Sequence, residues 1–112
     1  MQWWRINQYQ TMWIMVVFDL PTELKKQRKA AAQFRKRLLK DGFDMFQFSI
    51  YVRHCSSREN MQVLIRRIRG FLPEDGKVGI MFMTDKQFEM IELYENQRGA
   101  KAPPTSQQLE LF

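Results

Sequence analysis

The sequence predicts an α+β fold in which two helices cover one face of an antiparallel sheet. Apolar runs of strand length alternate along the chain with two segments whose apolar residues recur at helical spacing. Their order is strand, helix, strand, a second strand-like run, helix and strand, which makes two βαβ halves. This is the βαββαβ order of a ferredoxin-like domain. A chain of 112 residues is long enough for one such domain.

The first strand and the first helix carry the clearest signals. Residues 13–18 are continuously apolar and β-prone, which is typical of a central strand covered on both faces. Thr22 then offers an N-cap oxygen for a helix, and Asp41 and Gly42 close that helix. Apolar residues at helical spacing predict its buried side: Ala30, Ala31, Phe34, Leu38 and Leu39.

The second half of the chain begins with another strand. Residues 43–53 alternate between apolar and more polar side chains and predict one strand, which residues 53–56 continue as an edge or a bend. Ser56 or Ser57 caps a second helix. The apolar residues of that helix fall on one face: Met61, Leu64, Ile65, Ile68 and Phe71 or Leu72.

The domain closes with a turn and a third long apolar run. Residues 73–76 have the composition of a turn, and residues 78–84 predict a buried strand. Residues 88–94 form either a further short strand or a helical turn.

Composition divides the chain into three parts. Residues 1–11 are a leader of uncertain order, residues 12–96 form the ferredoxin-like domain, and residues 97–112 are a proline-containing linker with an apolar C-terminal segment. No run approaches the ~18 apolar residues of a membrane helix, and the leader lacks the apolar core of a signal peptide. We therefore expect a cytoplasmic protein with no membrane partner. Its single cysteine excludes an internal disulfide framework.

Large apolar side chains exceed what one helix-covered face of the sheet needs. They are Trp13, Phe46, Phe48, Met81 and Phe82. A second copy packed against the uncovered face would bury them, at roughly 25 cal/mol per Å² of apolar area removed from water. The sequence therefore predicts a homodimer through the sheets, to which the apolar C-terminal segment adds a strand on the partner's sheet.

Positive charge is concentrated on the first helix. Between Thr22 and Lys40, eight basic residues face one acidic residue, Glu23, a net +7 against +6 for the whole chain. A run of charged residues on a helix usually marks a face exposed to solvent. Here, however, few acidic residues lie among the basic ones to form i,i+4 ion pairs, and this imbalance favours contact with phosphates. The candidate nucleic-acid-binding residues are Lys25, Lys26, Arg28, Lys29, Arg35, Lys36, Arg37 and Lys40, extended by Arg66, Arg67 and Arg69 on the second helix.

Asp19 is the candidate catalytic and metal-binding residue. It stands where the first strand ends, a position suited to a ligand or a metal, and equally to an Asx-turn or a hydrogen bond at the helix entry. One aspartate is a poor Mg²⁺ site, since such sites use one or two carboxylates with water and substrate phosphates. A two-fold dimer would bring two copies of Asp19 together.

The other residues capable of chemistry are isolated in the sequence. Asp41, Asp44 and Asp85 flank predicted strands and are interpreted as turn formers. His54 and Cys55 are the only histidine and cysteine. As neighbours on extended backbone they point to opposite faces, so they make no nucleophile–base pair within one chain.

The order of these elements, together with short motifs, resembles the CRISPR-associated protein two family, the small dimeric subunit of spacer acquisition. The matching features are the apolar strand ending in Asp19, the basic helix, and a Gln-x-Ser-Val/Ile pattern met by Gln47, Ser49 and Ile50. The resemblance covers about residues 12–95. Residues 51–55 are similar to members from type II systems.

This resemblance implies a ferredoxin-like homodimer with defined partners. Two dimers of the adaptation integrase, CRISPR-associated protein one, would clamp its ends, and its basic surface would support a protospacer of double-stranded DNA. Asp19 matches the family's strand-end aspartate, proposed to bind a divalent metal, here Mg²⁺, for phosphodiester cleavage.

Two main hypotheses remain at this point. In the first, the protein is a scaffold that holds duplex DNA beside the integrase. In the second, it is a Mg²⁺-dependent endonuclease, acting on DNA or RNA, with Asp19 from both subunits. A toxin-like ribonuclease of the same fold also explains a basic dimer, but the sequence shows no general base for it.

Overall fold

The structure is a computed structural model, and it describes residues 12–96 of the chain. This range forms four strands and three helices: β1 (Met12–Asp19), α1 (Lys25–Lys40), β2 (Asp44–Gln47), β3 (Ile50–Cys55), α2 (Arg58–Gly70), β4 (Lys77–Thr84) and α3 (Asp85–Glu89). The predicted leader at 1–11 and linker with apolar end at 97–112 lie outside the described residues. None of the described helices is long and apolar enough to cross a membrane.

The four strands form one antiparallel sheet in the order β2-β3-β1-β4. With α1 and α2 on one face, this is the ferredoxin-like α+β arrangement, so the predicted fold class is confirmed. β1 lies between β3 and β4 and is central, as its continuous apolar sequence predicts. Ile14, Val16 and Phe18 face the helices, while Met15 is buried on the opposite face.

The main core lies between the helices and the sheet. It contains Met61, Leu64, Ile65 and Ile68 of the predicted α2 stripe, which are buried with the helix-facing side chains of β1. Of the five apolar residues expected on α1, Phe34 and Leu38 lie in this core, Ala31 is also buried and Ala30 is half-buried. Leu39 was expected in this core, but it is 52% exposed. One helical step of 100° separates it from Leu38 and turns it away from the sheet.

The strand expected at residues 43–53 is instead a hairpin. Phe48 and Ser49 form a two-residue turn between β2 and β3, and Ser49 adopts a positive φ of 70°. The β2 ladder is irregular between Met45 and Gln47, where a bulge interrupts the alternation. Glycine or asparagine usually supplies the positive φ of such a turn, and this turn contains neither. The alternating apolar pattern therefore predicted one continuous strand.

The helix ends agree with the prediction in two of three places. Ser57 caps α2, where its Oγ accepts a hydrogen bond of 3.0 Å from the N–H of Asn60. α1 ends at Asp41 and Gly42, as expected. Thr22, however, does not cap α1, which begins after Leu24, and the Leu24 N–H donates to Gln27 Oε1 at 3.0 Å. Gln27, inside the first turn, thus satisfies the N–H of the N-cap residue, and no N-cap hydroxyl is present.

The far face of the sheet is partly covered by the chain itself. Of residues 88–94, expected as a strand or a helical turn, only Phe88 and Glu89 are helical, at the end of α3, and residues 91–94 form neither a helix nor a strand. Phe88 is buried with Met15 and Val52, and Trp13 stacks on it at a ring distance of 4.0 Å. Phe82 is one of the five large apolar residues that were expected on the face of the sheet not covered by helices. It packs instead against the core on the helix side.

Candidate nucleic-acid interface and strand-end carboxylate

Four lysines form a stripe along the solvent side of α1. Lys25, Lys29, Lys36 and Lys40 recur at helical spacing opposite the buried side chains of the helix, and all four are exposed. The stripe is about 22 Å long, since a helix rises ~1.5 Å per residue. Within the described part of the chain, none of these lysines makes an ion pair. The stripe is therefore a straight row of uncompensated positive charge.

The arginines of α1, in contrast, are engaged within the domain. Arg28 donates from one guanidinium nitrogen to the carbonyl oxygens of Thr22 and Glu23, each at 2.9 Å. The guanidinium of Arg35 lies 5.3 Å from the ring centre of Phe48, and that of Arg37 lies 4.7 Å from the ring centre of Phe71. These contacts orient three of the predicted phosphate ligands toward the protein, so the lysine stripe is the stronger candidate surface.

The remaining basic candidates are distributed around the two helices. Lys26 lines a groove shared with Glu74 and Asp75, whose carboxylates lower the local positive potential. On α2, Arg66 and Arg69 are exposed, while Arg67 lies 3.6 Å from Asp41 at the end of α1. Asp41, expected to be a turn former, thus also partly neutralises the C-terminal end of the basic surface.

The C-terminal end of α1 is fixed by an arginine that the sequence did not single out. Arg53, on β3, donates to the carbonyl oxygen of Asp41 at 2.5 Å. A cation suits this position because the last carbonyl groups of a helix carry partial negative charge. Gly42 has a φ of 87°, and a Cβ there would clash with the Arg53 guanidinium. This contact holds α1, and the lysine stripe with it, against the sheet.

Asp19 is exposed at the end of β1, and strand alternation places its side chain on the face away from the helices. It pairs directly with Lys77, the first residue of β4. Gly76, with a φ of 94°, packs tightly behind it, because a Cβ there would come within 2.6 Å of the Asp19 carbonyl oxygen. The sequence did not indicate that Gly76 and Lys77 lie beside Asp19, although the composition of residues 73–76 correctly predicted the turn before β4.

One subunit does not provide a metal site around Asp19. Among residues 12–96, no group of three or more His, Cys, Asp or Glu side chains is placed to hold a metal ion. A Mg²⁺ ion is usually held by one or two carboxylates with water and substrate phosphates. Within the described residues, Asp19 offers one carboxylate beside a lysine, so any Mg²⁺ bound there would need further ligands from water, a substrate phosphate or a second copy of the chain.

His54 and Cys55 lie on opposite faces of the sheet, which separates them as a catalytic pair. Cys55 is fully buried in the helix-side core, and burial raises the pKa of its thiol to about 11, against a smaller lowering by the Arg53 charge. His54 Nε2 lies 3.5 Å from Asp85 Oδ1 on the far face, and the same oxygen accepts a 2.6 Å hydrogen bond from Trp13 Nε1. Asp85 therefore joins β1, β3 and α3 rather than only forming a turn.

Comparison with known proteins identifies the family of this chain. Residues 12–91 match the family model of CRISPR associated protein Cas2. A protein of Flavobacterium psychrophilum named CRISPR-associated endoribonuclease Cas2 is 59% identical over 108 residues, covering 96% of this chain and 94% of that protein. One of the same name from Parvibaculum lavamentivorans is 48% identical over 104 residues, covering 90% and 100%.

A solved structure described as the crystal structure of cas2 has the same fold. It matches with a TM-score of 0.54 at 20% identity, over 84% of this chain and 99% of that one. Fold and site together define a small ferredoxin-like domain that carries one strongly basic helix. The chain belongs to the CRISPR associated protein Cas2 family. The family resemblance seen in the sequence is thus confirmed.

Proposed function

We propose that the protein acts in CRISPR adaptation as a homodimeric scaffold that holds protospacer duplex DNA and bridges dimers of the adaptation integrase. The observation that carries this proposal is the lysine stripe of α1, a row of four uncompensated charges about 22 Å long. Lysines without a base-reading motif suit a phosphate backbone of any sequence. Membership of the Cas2 family supports the adaptation role.

The far face of the sheet and its β4 edge support the proposed dimerisation through the sheets. β4 is eight residues long and pairs with β1 without a bulge, and its outer edge has no strand beside it within the described range. Such an edge is a template for pairing with another chain. Met81, on β4, and Met90, which follows α3, add exposed apolar surface. A monodisperse monomer at micromolar concentration in light scattering would contradict the dimer.

Two finer assignments belong to the same proposal. The stretch at residues 51–55 supports a type II system, which the effector gene in the same CRISPR locus would test. Work on CRISPR DNA would place the protein in the cytoplasm.

The scaffold is tested by the salt dependence of duplex binding. Removing one lysine that binds a phosphate should reduce the slope of log K against log salt concentration by roughly 0.9. We expect the double variant Lys29→Gln/Lys36→Gln to lower that slope by nearly two units in fluorescence anisotropy with a blunt duplex. Arg28→Gln is the matched control, because its guanidinium already bonds the carbonyls of Thr22 and Glu23. A slope unchanged by the lysine substitutions would overturn the stripe as the interface.

A second candidate function is a Mg²⁺-dependent endonuclease with Asp19 from both subunits. Two observations favour it: both relatives described above are named endoribonucleases, and Asp19 is exposed on the face away from the helices. With Mg²⁺ bound, the metal would polarise the phosphodiester group, while the two carboxylates would hold the ion. Cleavage of RNA or DNA by the purified dimer that requires Mg²⁺ and is lost in Asp19→Ala would establish this function.

Spacer integration by the cognate integrase separates the two candidates. The scaffold proposal expects integration to require the protein but to tolerate Asp19→Ala. Loss of integration in an Asp19→Ala variant that still forms a folded dimer would give the strand-end carboxylate a direct role instead.

A further inference from the structure

Phe48 is an exposed aromatic side chain that the fold does not need for its core. It is 74% exposed and lies in the two-residue turn between β2 and β3. The next residue, Ser49, holds a positive φ of 70°, which costs about 1 kcal/mol or more for a residue other than glycine. A large apolar ring that stays mostly exposed on a strained turn presents a surface for a contact outside the core of the domain.

The turn is held in place from two sides. The Ser49 carbonyl oxygen accepts a 3.0 Å hydrogen bond from the Phe18 N–H, which ties the turn to the end of β1 beside Asp19. On the other side, the Arg35 guanidinium lies 5.3 Å from the centre of the Phe48 ring. Since Arg35 covers one ring face and most of the side chain is exposed, the opposite ring face is open to solvent.

The surroundings of Phe48 favour a nucleic acid over a protein segment. Arg35 is followed on α1 by Lys36 of the lysine stripe, so the open ring lies at the margin of the positive surface. Strand addition by a partner protein is disfavoured here, because β2 is only four residues long and bulged. An aromatic ring with an adjacent arginine is the arrangement on which unpaired bases stack, since every base has a π-face.

We propose that Phe48 and Arg35 form a stacking platform for an unpaired base next to a duplex. The ring stacks on the base, and the guanidinium reaches the adjacent phosphate. This inference rests on the proposed binding of the duplex backbone by the lysine stripe and adds a preference: the protein distinguishes a duplex with a single-stranded extension from a blunt one.

The experiment compares two DNA probes of equal duplex length, one blunt and one with a short single-stranded extension that carries 2-aminopurine. Binding to the full-length protein is followed by anisotropy, and stacking by quenching of the 2-aminopurine fluorescence. Loss of one stacked base corresponds to roughly a 5- to 150-fold change in affinity. We expect Phe48→Ala to weaken binding of the extended probe within that range, to abolish the quenching, and to leave the blunt probe unaffected.

Two variants serve as controls. Phe48→Trp keeps an aromatic face and should retain both the affinity and the quenching. Leu72→Ala removes another exposed apolar side chain, just after α2, and should change neither probe. Circular dichroism should be unchanged in all three variants, because the side chains removed are exposed.

Each remaining outcome decides between the proposals. If the wild type binds both probes and Phe48→Ala behaves like the wild type, the platform is wrong and the scaffold survives. If the wild type binds neither probe, or binds without salt dependence, both proposals fall. If Phe48→Ala leaves both probes bound but prevents assembly with the integrase, Phe48 is an anchor for a protein and the platform is overturned.

Discussion

Asp19 and Lys77 stand directly opposite each other, the last residue of β1 facing the first residue of β4. Opposed residues in an antiparallel pair share one face of the sheet, with Cβ atoms about 5 Å apart. The ammonium group of Lys77 is therefore within reach of the Asp19 carboxylate. A metal ion at Asp19 would lie near the positive charge of Lys77, which would disfavour it unless a second carboxylate or a substrate phosphate were also present.

We expect Asp19→Asn to change the free energy of unfolding by no more than about 0.5 kcal/mol, because this exposed carboxylate makes no ion pair within the described chain. Spacer integration should be retained. Thermal unfolding and an integration assay measure the two effects. Lys77→Gln, as a companion variant, should lower the Mg²⁺ concentration needed for any cleavage that depends on Asp19. Cleavage that persists in Asp19→Asn would remove Asp19 from the chemistry.

The orientation of α1 makes opposite predictions for two adjacent leucines. Leu38 is fully buried, and Leu38→Ala should destabilise the protein by about 2–5 kcal/mol through reduced burial and a residual cavity. Leu39 is exposed on the next helical step, and Leu39→Ala should stay within about 0.5 kcal/mol of the wild type. Urea unfolding of both variants measures the difference. Equal destabilisation would mean that α1 is rotated and that its lysines do not form an outward stripe.

Two glycines provide a second matched pair. Gly76→Ala requires a side chain at a φ of 94° and a Cβ 2.6 Å from the Asp19 carbonyl oxygen, and should cost about 1–3 kcal/mol. Gly70, at the end of α2, has no atom within 4 Å of a Cβ placed there, so Gly70→Ala should be neutral or stabilising by up to about 1 kcal/mol. Differential scanning calorimetry separates them. A stable Gly76→Ala protein would show that the turn behind Asp19 is not tightly packed.

The buried thiol predicts how stability responds to alkaline pH. Burial raises the pKa of Cys55 from its ordinary value near 9 to about 11, so the folded state retains a proton that the unfolded state releases. The resulting contribution to stability is complete below pH 9 and is lost as the pH rises toward 11. We expect the unfolding free energy of the wild type to fall across this interval more steeply than that of Cys55→Ala.

Tyr94 titrates at high pH in both proteins, so it does not account for a difference between them. The same burial should keep Cys55 unreactive toward iodoacetamide in the folded protein near neutral pH. Rapid labelling without unfolding would contradict the burial of this residue.

The sequence predicted those features that depend on periodic patterns. The central position of β1, the apolar stripe of α2 and the Ser57 cap all followed from apolar spacing and capping chemistry. The hairpin at Phe48 and Ser49 did not, because a positive φ at serine leaves no mark in composition. The start of α1 was also missed, because the helix begins after Leu24, whose N–H donates to Gln27 Oε1, and Thr22 does not cap it.

For the candidate site, sequence could supply the charge but not its distribution. It identified the basic residues of α1 as a group, whereas the structure separates the outward lysines from arginines that contact carbonyl groups and aromatic rings. This separation depends on contacts with Thr22, Phe48 and Phe71, which lie in other parts of the fold. The pairing of Asp19 with Lys77 likewise depends on the register between two strands that are far apart in the sequence.

The unequal edges of the sheet bear on how large an assembly this chain can form. The β2 edge is short and bulged, while the β4 edge is long and regular. If two copies paired edge to edge through β4, each would use up the other's pairing surface, and the described sheet of each would expose only its irregular β2 edge. Growth of the sheet by this route would then end at two chains.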